Sequence, residues 1–170
     1  MGFMTTNYAD NKQKGNYAPL PQNEYEMIIN GAHEKTTPKG SEAFTIDLLV
    51  RGDLDNVPAL LDTNKKFHGR HVFNDIWKTT INGEYQYDTK KFQYILDAVG
   101  VPENTPINSV EDLITLIIGK PVLVFTKVED NTYNGETKQI NTVAPWGYKP
   151  TNYAMAETAT IDIADDDLPF

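Results

Sequence analysis

E42AFTIDLLVR51 is the stretch on which the fold turns, because Phe44, Ile46, Leu48 and Val50 recur in it at every second position. A period of two over this length is the mark of a strand with one face turned to a core. Immediately upstream, Thr37-Pro38-Lys39-Gly40-Ser41 reads as a turn, and Glu24 to Thr36 before it reads as a partner strand interrupted at Gly31. Two strands joined by a short turn open the domain as a hairpin.

Downstream, residues 52–68 hold aspartates, a proline and a lysine pair, which predicts a long loop. G69RHVFNDIWKTT80 follows as a third strand, with Val72, Asn74 and Ile76 on one face and His71, Phe73, Asp75 and Trp77 on the other. Neither face is purely polar, so the alternation leaves open which one looks inward. After a turn at Asn82-Gly83, D88TKKFQYILDAVG100 carries Phe92, Ile95, Leu96 and Val99 at helical spacing, between a capping Asp88 and a terminating Gly100. Ser109 and Asp112 frame the start of a second helix as a capping box. K120PVLVFTKVED130 and E136TKQINTVAPWGY148 then form a hairpin about Tyr133-Asn134-Gly135. Three antiparallel strands, a helical insertion and a closing hairpin predict a mainly β domain, a five-stranded OB-fold-like Greek-key barrel with helices between strands 3 and 4. The domain is expected over residues 22–149, after a flexible arm at 1–21 and before a linker at 150–164 and a tip at 165–170.

The net charge of −9 argues at first against a nucleic-acid partner. Its distribution says more: Glu157, Asp162, Asp165, Asp166 and Asp167 fall in residues 157–170, which contain no Lys or Arg. More than half of the imbalance therefore sits at one end. Within the body, K65KFHGRH71 gathers three permanent cations, two histidines and a phenylalanine. There is no cysteine, which excludes disulfides and thiolate metal sites. No apolar run reaches membrane-spanning length and the first residues carry no signal-like core, so a soluble, cytoplasmic protein is expected.

The chain ends in Asp165, Asp166, Asp167, Leu168, Pro169 and Phe170. Three adjacent carboxylates repel one another, Pro169 blocks helix and inner-strand pairing, and one Leu with one Phe builds no core. Such an end suits a separate partner: an apolar pocket for the Phe170 ring, a cation for its carboxylate and a basic rim for the aspartates. This tip resembles the acidic C-terminal tip of bacterial single-stranded DNA-binding proteins. The body resembles phage-encoded single-stranded DNA-binding proteins of Gram-positive hosts in Y25EMIINGAHEKT36, G69RHVFNDIW77, I118GKPVLV124 and the late Tyr133-x-Gly135 with N141TV143. The resemblance implies an OB-type domain that coats single-stranded DNA in replication or recombination, with a tail that recruits DNA-processing proteins.

Sequence-tolerant binding of a single strand needs rings for base stacking and cations along the phosphates. The candidate rings are Trp77, Phe73, Phe67, Trp146 and Tyr148, with Trp77 first because it adjoins Lys78 on a strand that starts near Arg70. The candidate cations are Lys65, Lys66, Arg70, Lys78, Lys35 and Arg51, with Lys127, Lys138 and Lys149 behind them. Tyr8, Lys12, Lys14 and Tyr17 in the arm are weaker candidates. Core packing is the competing role for Phe73, and barrel sealing for Trp146. Gly119-Lys120-Pro121 lacks the other residues of a phosphate loop, the three histidines show no ligand spacing, and no nucleophile with its base can be picked out. No enzyme, metal or cofactor is expected. Two rivals to a DNA coat protein stand: an adaptor that does not bind DNA and whose tail captures replication partners, and a small nuclease or annealing enzyme. Homo-oligomerisation is compatible with the first reading.

Overall fold

Phe44, Ile46 and Leu48 are fully buried and Val50 nearly so, and the strand that carries them lies inside an antiparallel sheet. The computed structural model describes residues 2–4 and 18–155. Strand β1 (Asn23–Thr36) pairs on one side with β2 (Glu42–Val50) and on the other with β6 (Pro121–Tyr133). Its register slips between Ile29 and Gly31, where the sequence shows its break. Strand β3 (His71–Trp77) adds to the free side of β2, and β7 (Glu136–Thr142) pairs with the distal half of β6. The order β3-β2-β1-β6-β7, with the helices α1 (Lys90–Ala98) and α2 (Val110–Ile117) between the third and fourth long strands, is OB-like.

The barrel is not closed. No ladder joins β3 to β7 among the described residues, and the seam between them is lined by Pro19, Arg70, His71, Val72, Phe73, Gln139, Ile140 and Asn141. Segment 18–21 stitches it. The Arg70 guanidinium donates to the Ala18 carbonyl at 2.6 Å, and the Asn141 side chain both accepts from Leu20 N–H and donates to Leu20 C=O, each at 2.9 Å. Leu20 itself is fully buried. The expected arm therefore ends before residue 18; residues 5–17, with Tyr8, Lys12, Lys14 and Tyr17, lie outside the described residues.

Inward-facing Val72 and Ile76 settle the orientation of β3. Asn74 points the same way because it has a buried partner: its Nδ2 donates to the Tyr148 hydroxyl at 2.6 Å. Tyr148 opens β8 (Tyr148–Lys149), a short strand on the proximal half of β6, so this bond ties the edge strand to the far side of the core. Burial raises the pKa of that phenol, keeping it neutral.

Several boundaries differ from the sequence expectation. The stretch predicted as one strand to Thr80 splits after Trp77, and Asn82-Gly83, both at positive φ, turns a small hairpin of β4 (Thr79–Ile81) and β5 (Glu84–Gln86). The predicted loop 52–68 contains a 3-10 turn, Pro58–Leu60, and a π-helical turn, Leu61–Lys65. Its anchor is Asn64, fully buried, which accepts from Glu26 N–H and donates to Glu26 C=O and Arg51 C=O, extending the sheet where β2 has ended. The second helix is capped as expected, with Ser109 Oγ accepting from Asp112 N–H at 3.1 Å. The reciprocal bond is displaced by one residue, since Asp112 Oδ2 accepts from Asn108 N–H. In the first helix Thr89 is the N-cap, and Asp88, one residue before it, still accepts from Lys90 N–H.

Residues 150–153 are not a free linker. Thr151 donates to Glu26, Asn152 N–H donates to the same carboxylate, and Arg51 donates to the Tyr153 carbonyl at 2.6 Å. Both Glu26 and Arg51 are almost wholly buried, so the chain leaves the domain through a polar latch inside it. The tip at 165–170 lies outside the described residues.

Candidate functional site

Strands β1, β2 and β3 share an outer face whose side chains fall into three rows across the sheet. Gly31, Asp47 and Phe73 form the first, His33, Thr45 and Asp75 the second, Lys35, Ala43 and Trp77 the third. Phe73 is 61 % exposed and Trp77 38 %, on a strand whose other face is buried. Their Cα atoms stand about 13 Å apart by strand rise. Two solvent-facing rings on one edge strand are more than packing requires, and their open faces could take a flat partner.

The row continues at its start. His71 lies parallel to Phe73, with centroids 5.9 Å apart and planes within 8°, so one face of Phe73 is covered by an imidazole. At the other end, Lys35 Nζ stands 5.4 Å from the Trp77 ring centre. Lys35 also reaches over β2 to Asp75 at 2.7 Å, and Thr45 donates to the other oxygen of that carboxylate at 2.7 Å. Asp47 is held in the same manner, by His71 Nδ1 at 2.6 Å and Asn30 Nδ2 at 2.9 Å. The floor of the face is thus polar and internally bonded, and its rings stand above it.

Among the other residues singled out in the sequence, Lys65 and Lys66 are exposed on the turn that leads into β3, and no carboxylate among the described residues lies within ion-pairing distance of either. Arg70, in the same lead, is spent partly on Ala18. The strip 65–71 is less basic than its letters suggest, because His68 pairs with Asp55 at 2.9 Å as His71 does with Asp47. Lys78 sits at the far end of β3 in a short ion pair with Glu42 and over the Tyr87 ring. The Glu42 hydrogen bond raises the Lys78 pKa, so it stays a cation throughout the physiological range.

Three candidates leave the surface. Tyr148 is 4 % exposed and its ring fills the core, so no base can stack on it. Arg51 is 3 % exposed and commits four guanidinium donors to Asp53, Thr151 and Tyr153, too deep to meet a phosphate. Phe67 is half-buried, edge-on to Tyr25 at 6.1 Å, and belongs to the packing under the turn. Trp146 is 64 % exposed, but on the 3-10 turn Pro145–Gly147, which packs on α1 and β6 rather than beside β3. Sequence reading missed Asp47, whose register opposite Phe73 appears only when β2 and β3 are paired, and Asn30, which donates to it from β1. No group of three or more potential metal ligands occurs among the described residues. Among the described residues no helix is long and apolar enough to cross a membrane.

A family model described as "Protein of unknown function (DUF669)" matches residues 6–159. No curated protein matches the chain. Among solved structures, one titled "Yeast RPA bound to ssDNA" aligns over 98 % of this chain and 100 % of its own, at 11 % identity and a TM-score of 0.37. A likeness that slight carries no weight for fold or function.

Proposed function

We propose that this chain, which belongs to the DUF669 family, binds single-stranded DNA across the outer face of β1, β2 and β3 as a coat protein rather than an enzyme. The observation that carries this reading is the pair of exposed rings, Phe73 and Trp77, aligned on one edge strand whose opposite face is core. Bases stack on the rings. Phosphates are met by the cations that flank the row, Lys65, Lys66 and Arg70 before it and Lys35 and Lys78 after it. The resemblance of the body to phage-encoded proteins favours a place in replication or recombination. The tip 165–170 serves as the recruiting element for DNA-processing partners, by the apolar anchor and charge pattern of its sequence.

A titration of intrinsic tryptophan fluorescence with an unstructured oligonucleotide tests the reading, because Trp77 lies in the proposed contact. Quenching is expected, and the affinity should fall with salt at a log–log slope of about −2, the value for roughly three phosphates neutralised on a single strand. No quenching and no retarded band on a gel in dilute buffer would defeat it. Removing residues 156–170 takes away five acids and no base. The shortened chain should bind DNA modestly tighter at low salt, and the gain should vanish as salt screens the charge. Equal affinities at low salt would show that the tail and the DNA do not compete.

A further inference from the structure

The proposed face offers unequal hydrogen-bonding chances to different bases. Asp47 lies directly across the β2–β3 pair from Phe73, and Asp75 lies two residues beyond Phe73 on the way to Trp77. The donors of this floor are turned onto those carboxylates: Asn30 Nδ2 and His71 Nδ1 onto Asp47, the Thr45 hydroxyl and Lys35 Nζ onto Asp75. A carboxylate has about four lone-pair sites. Each of these spends one per oxygen inside the floor and keeps the rest for whatever lies above.

A phosphate laid on such a floor would meet two negative charges. The backbone of a bound strand must therefore run along the rim, with the bases facing the sheet. A pyrimidine stacked on the open side of Phe73 then brings its edge to acceptors. Cytosine presents the N4 amino donor there, and thymine presents the O4 acceptor instead. We infer that the site prefers cytosine to thymine, with Asp47 as the discriminating residue and Asp75 in support. The two bases are similar in size, so the choice is made by hydrogen-bond sense rather than by fit.

This inference rests on the single-stranded DNA reading, and the experiment separates their failures. The full-length protein is titrated with oligo-dC and oligo-dT of equal length, at pH 8 and one fixed salt concentration, alongside Asp47→Asn and Asp75→Asn. The wild type should bind oligo-dC about fivefold more tightly, the low end of what one base-edge contact discriminates. Asp47→Asn, which swaps half of the acceptor for a donor, should bring the two affinities together, and Asp75→Asn should lower the ratio less. Near-UV circular dichroism checks that each variant is folded, and a misfolded Asp47→Asn leaves Asp75→Asn to decide. Binding of both oligonucleotides with no preference for dC, or a preference unchanged in every folded variant, overturns the cytosine inference and leaves DNA binding standing. Binding of neither overturns both.

Discussion

Alanine at both Phe73 and Trp77 is expected to weaken binding of an unstructured oligonucleotide by about a hundredfold or more, since each base-stacking ring contributes roughly 1–3 kcal/mol. Each single change should cost a share of that. Both side chains are solvent-facing, so thermal stability should barely move, which separates loss of contact from loss of fold. Trp146→Ala provides the control: it removes a still more exposed indole from the turn Pro145–Gly147 and should leave affinity as it was. Should the double variant bind like the wild type, the strand would have to travel elsewhere on the molecule. The salt slope of the double variant should stay near that of the wild type, because the rings carry no charge.

The second large effect is on stability. Arg51→Ala should destabilise the fold by about 3 kcal/mol, because it removes a buried guanidinium that donates to Asp53, Thr151 and the Tyr153 carbonyl. The change leaves Asp53 without its cation and the Tyr153 carbonyl without its donor, and it loosens residue 153 while Thr151 and Asn152 keep their bonds to Glu26. At this chain length the melting temperature would fall by roughly 10 °C. Early proteolytic cleavage near residue 153 should accompany the fall. Asp53 reports on the same latch. The hydrogen bond from Arg51 holds its carboxyl below the usual aspartate range, against a smaller opposing effect of burial. A carboxyl depressed in the folded state supports stability above its unfolded pKa and withdraws that support as pH falls through the folded one. The wild type should therefore lose part of its margin in acid, and Arg51→Ala should show less of that acid dependence. An unchanged melting temperature would mean that the buried guanidinium is dispensable.

The alternation in residues 42–51 was legible because a half-buried strand writes its environment at every second letter. The hairpins at Asn82-Gly83 and Asn134-Gly135 were legible as turns for the same local reason, since both residues of each pair adopt positive φ. What was hidden depends on pairs distant in sequence. The inward turn of Asn74 makes sense only once the Tyr148 hydroxyl is placed beside it, and the letters around Asn74 contain nothing of that. Arg51 looked like a surface cation because the Thr151 and Tyr153 groups that bury it lie about a hundred residues away. Leu20, between two prolines, looked like part of an arm, yet it is core. For the candidate site, Phe73 and Trp77 could be named from sequence and Asp75 placed on their face, while Asp47 could not, because its relation to the rings is one of register.

Leu20 and the seam it fills have a consequence for how the molecule behaves among its own copies. A chain trimmed to begin at β1 would strip the wedge from between β3 and β7, take the partners from the Arg70 and Asn141 side chains and leave the unpaired edges of both strands without Leu20 between them. Edges of that kind recruit one another, so the shortened protein would drift toward fibrils or swapped dimers. Eighteen to twenty-one are four letters without periodicity, and on this expectation they guard that side of the barrel against its own copies.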